Sequence, residues 1–155
     1  MPGRHCGSCT ACCEGWITST NIRMSPGSPC AHCTSGGCAI YTERPENPCR
    51  TFECGWLREG SPLPDHFRPD QCGAIVVFDQ EILGMKVFAA APTGAEIPAQ
   101  TMNWLQDFAR KQSLPMLFWE NEFQDGRFLG QKQQGYGPPA FQQAVRSSRN
   151  LEVKL

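Results

Sequence analysis

Nine of the ten cysteines in this 155-residue chain lie within its first 54 residues, and only Cys72 lies beyond them. The series begins with a CxxCxxCC motif formed by Cys6, Cys9, Cys12 and Cys13. A spacing of two residues lets a tight turn direct two sulfurs at one metal ion about 2.3 Å away, and small intervening residues let the backbone wrap closely. This spacing predicts a metal site.

Two further groups of cysteines follow in the sequence. The second group is Cys30, Cys33 and Cys38, and the third is Cys49 and Cys54. Thiolate ligands usually come from two or more loops that close around the ion, and eight or nine sulfurs suffice for two four-coordinate sites. We therefore expect the three groups to converge.

Three other features bear on the ligand set. Cys12 and Cys13 are adjacent and cannot bond to each other without a strained peptide, so we expect them to serve two centres or opposite sides of one cluster. His5 and His32 lie beside cysteines, as alternative ligands or hydrogen-bond donors. Cys72 is isolated, and a lone cysteine is by default a small buried hydrophobe.

Thiolate ligands favour zinc or an iron-sulfur cluster over magnesium or calcium, whose ligands are oxygens. The CxxCxxC run is similar to the first three ligands of a bacterial ferredoxin loop, but Cys13 follows Cys12 directly and the usual fourth cysteine spacing is missing. Zinc would make the site structural, whereas an iron-sulfur cluster would support electron transfer or radical chemistry. Thiol exchange through Cys6 and Cys9 is a further alternative, although no predicted strand precedes them.

Charge and hydropathy exclude some classes of function. The first residues lack the apolar stretch of a secretory signal, and no apolar run is long enough to cross a bilayer, so we expect a cytoplasmic chain with reduced thiols and no membrane contact. The net charge is −1 and the sequence pI is about 6.3. Because acidic residues offset the arginines of the cysteine-rich part, no basic stripe forms, which disfavours nucleic acid as a partner.

Composition and periodicity predict the regions, strands and helices around these cysteines. We predict a loop-rich cysteine region over residues 1–58, a proline-rich connector over 59–72 and a small α+β region over 73–155, and we expect them to form one compact unit. Within the last region we predict strands over 74–78 and 82–90 joined by a polar turn at 79–81, a helix over 96–112, a strand over 115–120, a weak strand over 126–130 and a closing helix over 138–149. The predicted fold class is α+β, with the metal-bound segment packed on a β-β-α-β half.

The cysteine pattern resembles the YkgJ-type cysteine-cluster family, described as a zinc- or iron-chelating domain. The resemblance covers roughly the first third of the chain, and residues 38–45 (CAIYTERP) and 49–54 (CRTFEC) add identities at fixed spacing. It implies chelation more than a reaction, with the family's ligands on Cys6, Cys9, Cys12, Cys13, Cys30, Cys38, Cys49 and Cys54. Cys33 stands where the family commonly has another residue, so the choice between Cys30 and Cys33 as ligand stays open.

The sequence thus predicts a metal-binding protein that holds zinc or iron through amino-terminal thiolates and uses its carboxy-terminal half to dock an unknown protein partner. An iron-sulfur redox enzyme or electron-transfer subunit is the alternative, and a zinc-ribbon nucleic-acid binder is the third hypothesis. No pattern marks a catalytic site, since His66 is isolated and Asp107, Glu120 and Glu122 have no spacing partner typical of an acid and base pair.

Overall fold

The computed structural model describes residues 54–148 and, outside that range, Ala11, Trp16, residues 33–34 and 37–38, and Leu151. In chain order its elements are β1 (Cys33–Thr34), β2 (Gly37–Cys38), a 3₁₀ turn (Asp65–Phe67), α1 (Pro69–Cys72), β3 (Ala74–Ile82), β4 (Met85–Pro92), α2 (Ala99–Gln112), β5 (Met116–Gln124), β6 (Arg127–Tyr136) and α3 (Pro139–Ser147). None of the helices in these described residues has the length and apolar character needed to span a membrane.

A four-stranded mixed sheet in the order β3-β4-β5-β6 is the centre of the described structure. The outer pairs, β3 with β4 and β5 with β6, are antiparallel, whereas β4 and β5 are parallel. Parallel neighbours need a crossover connection, and α2 supplies it. The predicted α+β class is confirmed for this part of the chain.

The first hairpin turns at a different place from the one that the sequence suggested. The predicted turn at residues 79–81 is wrong, because β3 continues to Ile82 and the chain reverses at Leu83 and Gly84. Both turn residues have positive φ angles, 56° and 78°, as a two-residue hairpin turn of type I′ requires. Asp79 instead lies in a bulge, where the register shifts between Val77 and Gln80.

Helix α2 covers one face of the sheet. Phe88 in the centre of β4 is fully buried and meets Phe108 of α2 edge to face, with ring centroids 5.4 Å apart. Phe78 of β3 contacts both rings, each at 5.9 Å. Leu105 and Ala109 of α2 are buried as the helical periodicity predicted, so this face is held by aliphatic burial together with aromatic edge contacts.

Helix α3 covers the opposite face. Ala89, Leu117 and Gly135 are register partners across β4, β5 and β6, one residue along from Phe88 and hence on the other face. A Cβ atom added at Gly135 would lie 2.9 Å from the ring of Phe141 in α3, so glycine lets this helix approach the sheet closely. Strand β4 is accordingly buried at every position from residue 87 to residue 92.

The carboxy-terminal elements extend the predicted β-β-α-β pattern to β-β-α-β-β-α. Strand β6 runs for ten residues, well beyond the predicted 126–130, and pairs with β5 along its length. Asp125 and Gly126 have φ angles of 52° and 78° and form the hairpin turn. Helix α2 begins three residues later than predicted, because Pro98 is extended, with ψ of 144°, and precedes the first helical residue.

The proline-rich segment before β3 is packed against the core. Leu63 and Phe67 are 2% and 3% exposed and belong to the same apolar cluster as the sheet residues. The indole Nε1 of Trp56 donates to the backbone oxygen of Asp65 over 2.9 Å, which ties the start of this segment to its end. The chain leaving the cysteine region is therefore held against the sheet from residue 54 onward.

Candidate metal centre

The eight predicted ligands divide into three sets. Cys54 is described with its side chain, and Cys38 is described through its position in β2. The remaining six lie outside the described residues: Cys6, Cys9, Cys12, Cys13, Cys30 and Cys49. Histidines 5 and 32 also lie outside them.

Cys54 is buried where the chain joins the sheet, with 7% of its surface exposed. Its backbone oxygen accepts hydrogen bonds from the N–H groups of Leu57 and Arg58, over 3.0 and 3.2 Å, which closes a tight turn. The next residue, Gly55, donates its N–H to the backbone oxygen of Val76 in β3. Cys54 therefore directly precedes the residue whose backbone N–H is hydrogen-bonded to the sheet.

Gly55 fits this place because it has no side chain. A Cβ atom there would lie 2.7 Å from the ring of Phe78 and 2.9 Å from the backbone oxygen of Val76. Ser61 donates its hydroxyl to the Gly55 oxygen over 2.5 Å, which fixes the following peptide, between Gly55 and Trp56. The sequence gives no sign of this close approach, since the contact joins residues about twenty positions apart.

Arg58 adds an ionic contact beside the same turn. Its Nη1 lies 2.7 Å from Oδ2 of Asp79, and its guanidinium carbon lies 5.4 Å from the centre of the Phe78 ring. The side chains of Arg58 and Asp79 are both solvent-accessible, so their ion pair and the contact with the Phe78 ring give the modest stabilisation of surface interactions. The carboxylate that pairs with Arg58 thus belongs to the bulge residue, whose φ is positive.

The first cysteine motif also has a described contact with the core. Ala11 lies between Cys9 and Cys12, is 2% exposed and belongs to the apolar cluster of the sheet. Trp16, three residues after Cys13, meets the ring of Phe123 in β5 edge to face at 6.3 Å. The beginning and the end of the cysteine region are therefore both packed against the carboxy-terminal core.

A short hairpin brings two cysteines into register within the second group. β1 and β2 are antiparallel, with Cys33 opposite Cys38 and Thr34 opposite Gly37. Sequence reasoning did not predict this hairpin. The residues at positions 34–37 (TSGG) carried the signal, because Ser-Gly and Gly-Gly pairs are typical of tight turns.

Cys72 occupies the core, as expected for an isolated cysteine. It is 6% exposed, and its Sγ lies 3.4 Å from the backbone oxygen of Phe67 and 3.3 Å from that of Ala74, either of which accepts the S–H. Thr101 of α2 donates its hydroxyl to the Cys72 oxygen over 2.7 Å. These contacts explain Cys72 as a packing residue at the junction of α1, β3 and α2.

Two of the acidic side chains without a catalytic spacing partner, Asp107 and Glu120, have structural partners. Asp107 pairs with Lys111 at 2.9 Å, and this hydrogen bond is the main reason that the pKa of Asp107 is lowered. Arg110 contacts both Asp107 and the hydroxyl of Tyr136, and the latter bond is the main reason that its pKa is raised. Glu120 accepts a hydrogen bond from Gln134 over 2.6 Å.

Among the residues that the structure describes, no three histidine, cysteine, aspartate or glutamate side chains form a group able to hold a metal ion. His66 is exposed and contacts the edge of Phe67. A metal centre that includes Cys54 therefore needs ligands from the cysteines that precede it.

The large apolar side chains that the described part leaves exposed are Leu83, Phe123 and Leu129. The protein partner that the sequence predicts stays a prediction.

No family model, curated protein or solved structure matches this chain. Its chemistry is therefore inferred from its own residues. Thiolates that converge from several loops fit Zn²⁺ or an iron-sulfur cluster and do not fit a magnesium or calcium site. Cys54 has low exposure and a fixed backbone, as a ligand held in place before a metal arrives would need.

Proposed function

We propose that this protein binds zinc or iron through the thiolates of its amino-terminal cysteines. The observation that carries the proposal is the concentration of nine cysteines in 54 residues, beginning with CxxCxxCC. Random placement of buried hydrophobes would not produce this spacing, and its residue types match the ligands of structural zinc and iron-sulfur sites. The resemblance to the YkgJ-type cysteine-cluster family points to the same chemistry.

The packing of the region's two ends supports the proposal. Ala11 within the first motif and Cys54 at the end of the third are both buried in one apolar cluster. A metal held by cysteines from these motifs would be anchored on the sheet rather than on a detached tail. The proposed role of the sheet is to fix the ligand at residue 54 and to exclude water beside it.

The direct test is to purify the full-length protein without oxygen and to measure metal and acid-labile sulfide per chain. We expect at least one equivalent of metal, and the Cys12→Ala, Cys13→Ala double variant should lose most of it because both thiols belong to the first motif. Zinc without sulfide would establish a structural or metal-carrying role. Iron with matching sulfide would establish an iron-sulfur centre and favour electron transfer or cluster-dependent catalysis.

Cys72→Ala is the matched control. Its thiol is accounted for by backbone acceptors in the core, so the variant should keep the wild-type metal content. If the wild-type chain held less than about a tenth of an equivalent of any metal under reducing conditions, the proposal would be wrong. Equal metal loss in the Cys72 variant and the double variant would also contradict it, because the loss would then follow from general destabilisation.

A further inference from the structure

We propose that Cys33 is a metal ligand and that it shares its ion with Cys38. The proposal rests on the metal-binding function proposed above and concerns a residue whose role the sequence leaves open. It assigns a ligand at a position where the resembling family commonly has another residue. The observation that carries it is the register of the β1–β2 hairpin, in which Cys33 and Cys38 are direct partners.

Register fixes the spacing between the two residues. Residues directly opposite each other in an antiparallel pair have Cβ atoms about 4.5–5.5 Å apart. Two thiolates on one tetrahedral zinc, each about 2.3 Å from the metal, lie roughly 3.8 Å from each other. The backbone register of the two strands therefore suits a pair of residues that would serve one ion.

The hairpin also explains how two ligands could be separated by four residues rather than by the two residues of a CxxC motif. In a CxxC turn the two ligands come from one tight loop, whereas Cys33 and Cys38 are separated by Thr34 to Gly37 and are brought together by strand pairing. The residues between the strands, Ser35 and Gly36, are of the type found in tight turns. Pairing thus makes a ligand pair from a spacing that sequence rules alone would not select.

The test compares zinc affinity, by competition with a chromophoric chelator, in the wild-type chain and in Cys33→Ser, Cys38→Ser and the double variant. Each single variant should bind zinc more than about tenfold more weakly. Removing a ligand should lower the affinity at least as much as removing a residue that hydrogen-bonds to a ligand. With Co²⁺ as probe, the thiolate-to-metal absorption should fall in each. The double variant should lose less than the product of the two single losses, because both thiols serve one ion.

Two further variants separate ligation from folding. Thr34→Ala changes the same hairpin without removing a thiol and should bind zinc like the wild type. Cys33→His supplies another zinc ligand and should recover most of the affinity lost in Cys33→Ser, which a merely structural cysteine would not allow.

The outcomes are distinguishable. Wild-type affinity in Cys33→Ser, losses that multiply in the double variant, no recovery with histidine, or a Cys33–Cys38 disulfide in protein purified under reducing conditions would overturn the assignment and leave metal binding intact. A wild-type chain that binds neither Zn²⁺ nor Co²⁺ would overturn the assignment together with the proposed function.

Discussion

Residues 54–148 and the cysteine-rich residues before them differ in what each has available to stabilise a fold. The carboxy-terminal part buries Ile75, Phe88, Leu105 and Met116 completely and covers both faces of its sheet. The first 53 residues contain eight of the ten cysteines, together with many prolines and glycines that favour turns. The comparison indicates that the carboxy-terminal part folds by apolar burial, and under the proposed function the residues before it would depend on metal ligation.

Metal removal should affect the two parts most unequally. Structural zinc supplies roughly 10–16 kcal/mol of apparent binding free energy in small zinc domains, so chelation should open the cysteine region while the sheet stays folded. Limited proteolysis of the full chain should show rapid cleavage before residue 54 and little change after it. Equal protection of both regions before and after chelation would contradict the comparison, and adding zinc back is the control.

Truncating the sheet core should have the next largest effect. Phe88→Ala removes a fully buried ring that contacts Phe78 and Phe108, and such truncations cost about 3–5 kcal/mol of unfolding free energy. Denaturant unfolding followed by tryptophan fluorescence would measure the loss. Leu129→Ala, at a side chain 61% exposed, should stay within about 0.5 kcal/mol of the wild type. A similar loss of unfolding free energy at both positions would show that Phe88 does not belong to the core.

Changing the junction should weaken both parts together. In Gly55→Ala the added Cβ would clash with the Phe78 ring and the Val76 oxygen, which we expect to cost about 1–3 kcal/mol and to lower metal affinity by displacing Cys54. Gly94→Ala is the matched control, since a Cβ there meets no atom within 4 Å. Unfolding free energy and zinc affinity should both fall in the first variant only. A loss of stability with unchanged affinity would separate Cys54 from the metal site.

The smallest effect should come from the ion pairs on α2. The hydrogen bond from Lys111 lowers the pKa of Asp107, so its stabilising contribution is present at neutral pH and is lost as the pH falls through that lowered value. Asp107→Asn should therefore lower the melting temperature slightly near neutral pH and not in strong acid. Because the groups are exposed, high salt should also remove the difference. A difference that persists in acid would point to a cause other than charge.

Much of the sheet region follows from its sequence. The apolar runs at the start of β3 and in β4, and the helical periodicity around Leu105, predict the first hairpin and α2. The turn at Leu83 was missed because a polar triplet is a stronger turn signal than a leucine with positive φ. Strand β6 was underestimated because glutamines and glycines fill much of it, and its pairing with β5 decides its length.

The sequence carries a prediction of the chemistry of the candidate site and none of its geometry. Residue type and spacing predict that the cysteines are ligands, but only the backbone register shows that Cys33 lies opposite Cys38. The burial of Cys54 depends on Gly55 and Phe78, whose contact joins distant positions of the chain and leaves no local pattern. The ligand roles of all eight cysteines stay predictions: Cys6, Cys9, Cys12, Cys13, Cys30, Cys38, Cys49 and Cys54.

The hydrogen bond from Gly55 to Val76 has a consequence for aggregation. Within the part of the chain that the structure describes, β3 is an edge strand next to β4, and unpaired edges are templates for association between molecules. The segment that carries Cys54 covers part of this edge, and Arg58 holds it there through Asp79. A protease cut or oxidative damage that detaches this segment would therefore expose a β-rich edge, and we expect self-association to follow before the sheet itself unfolds.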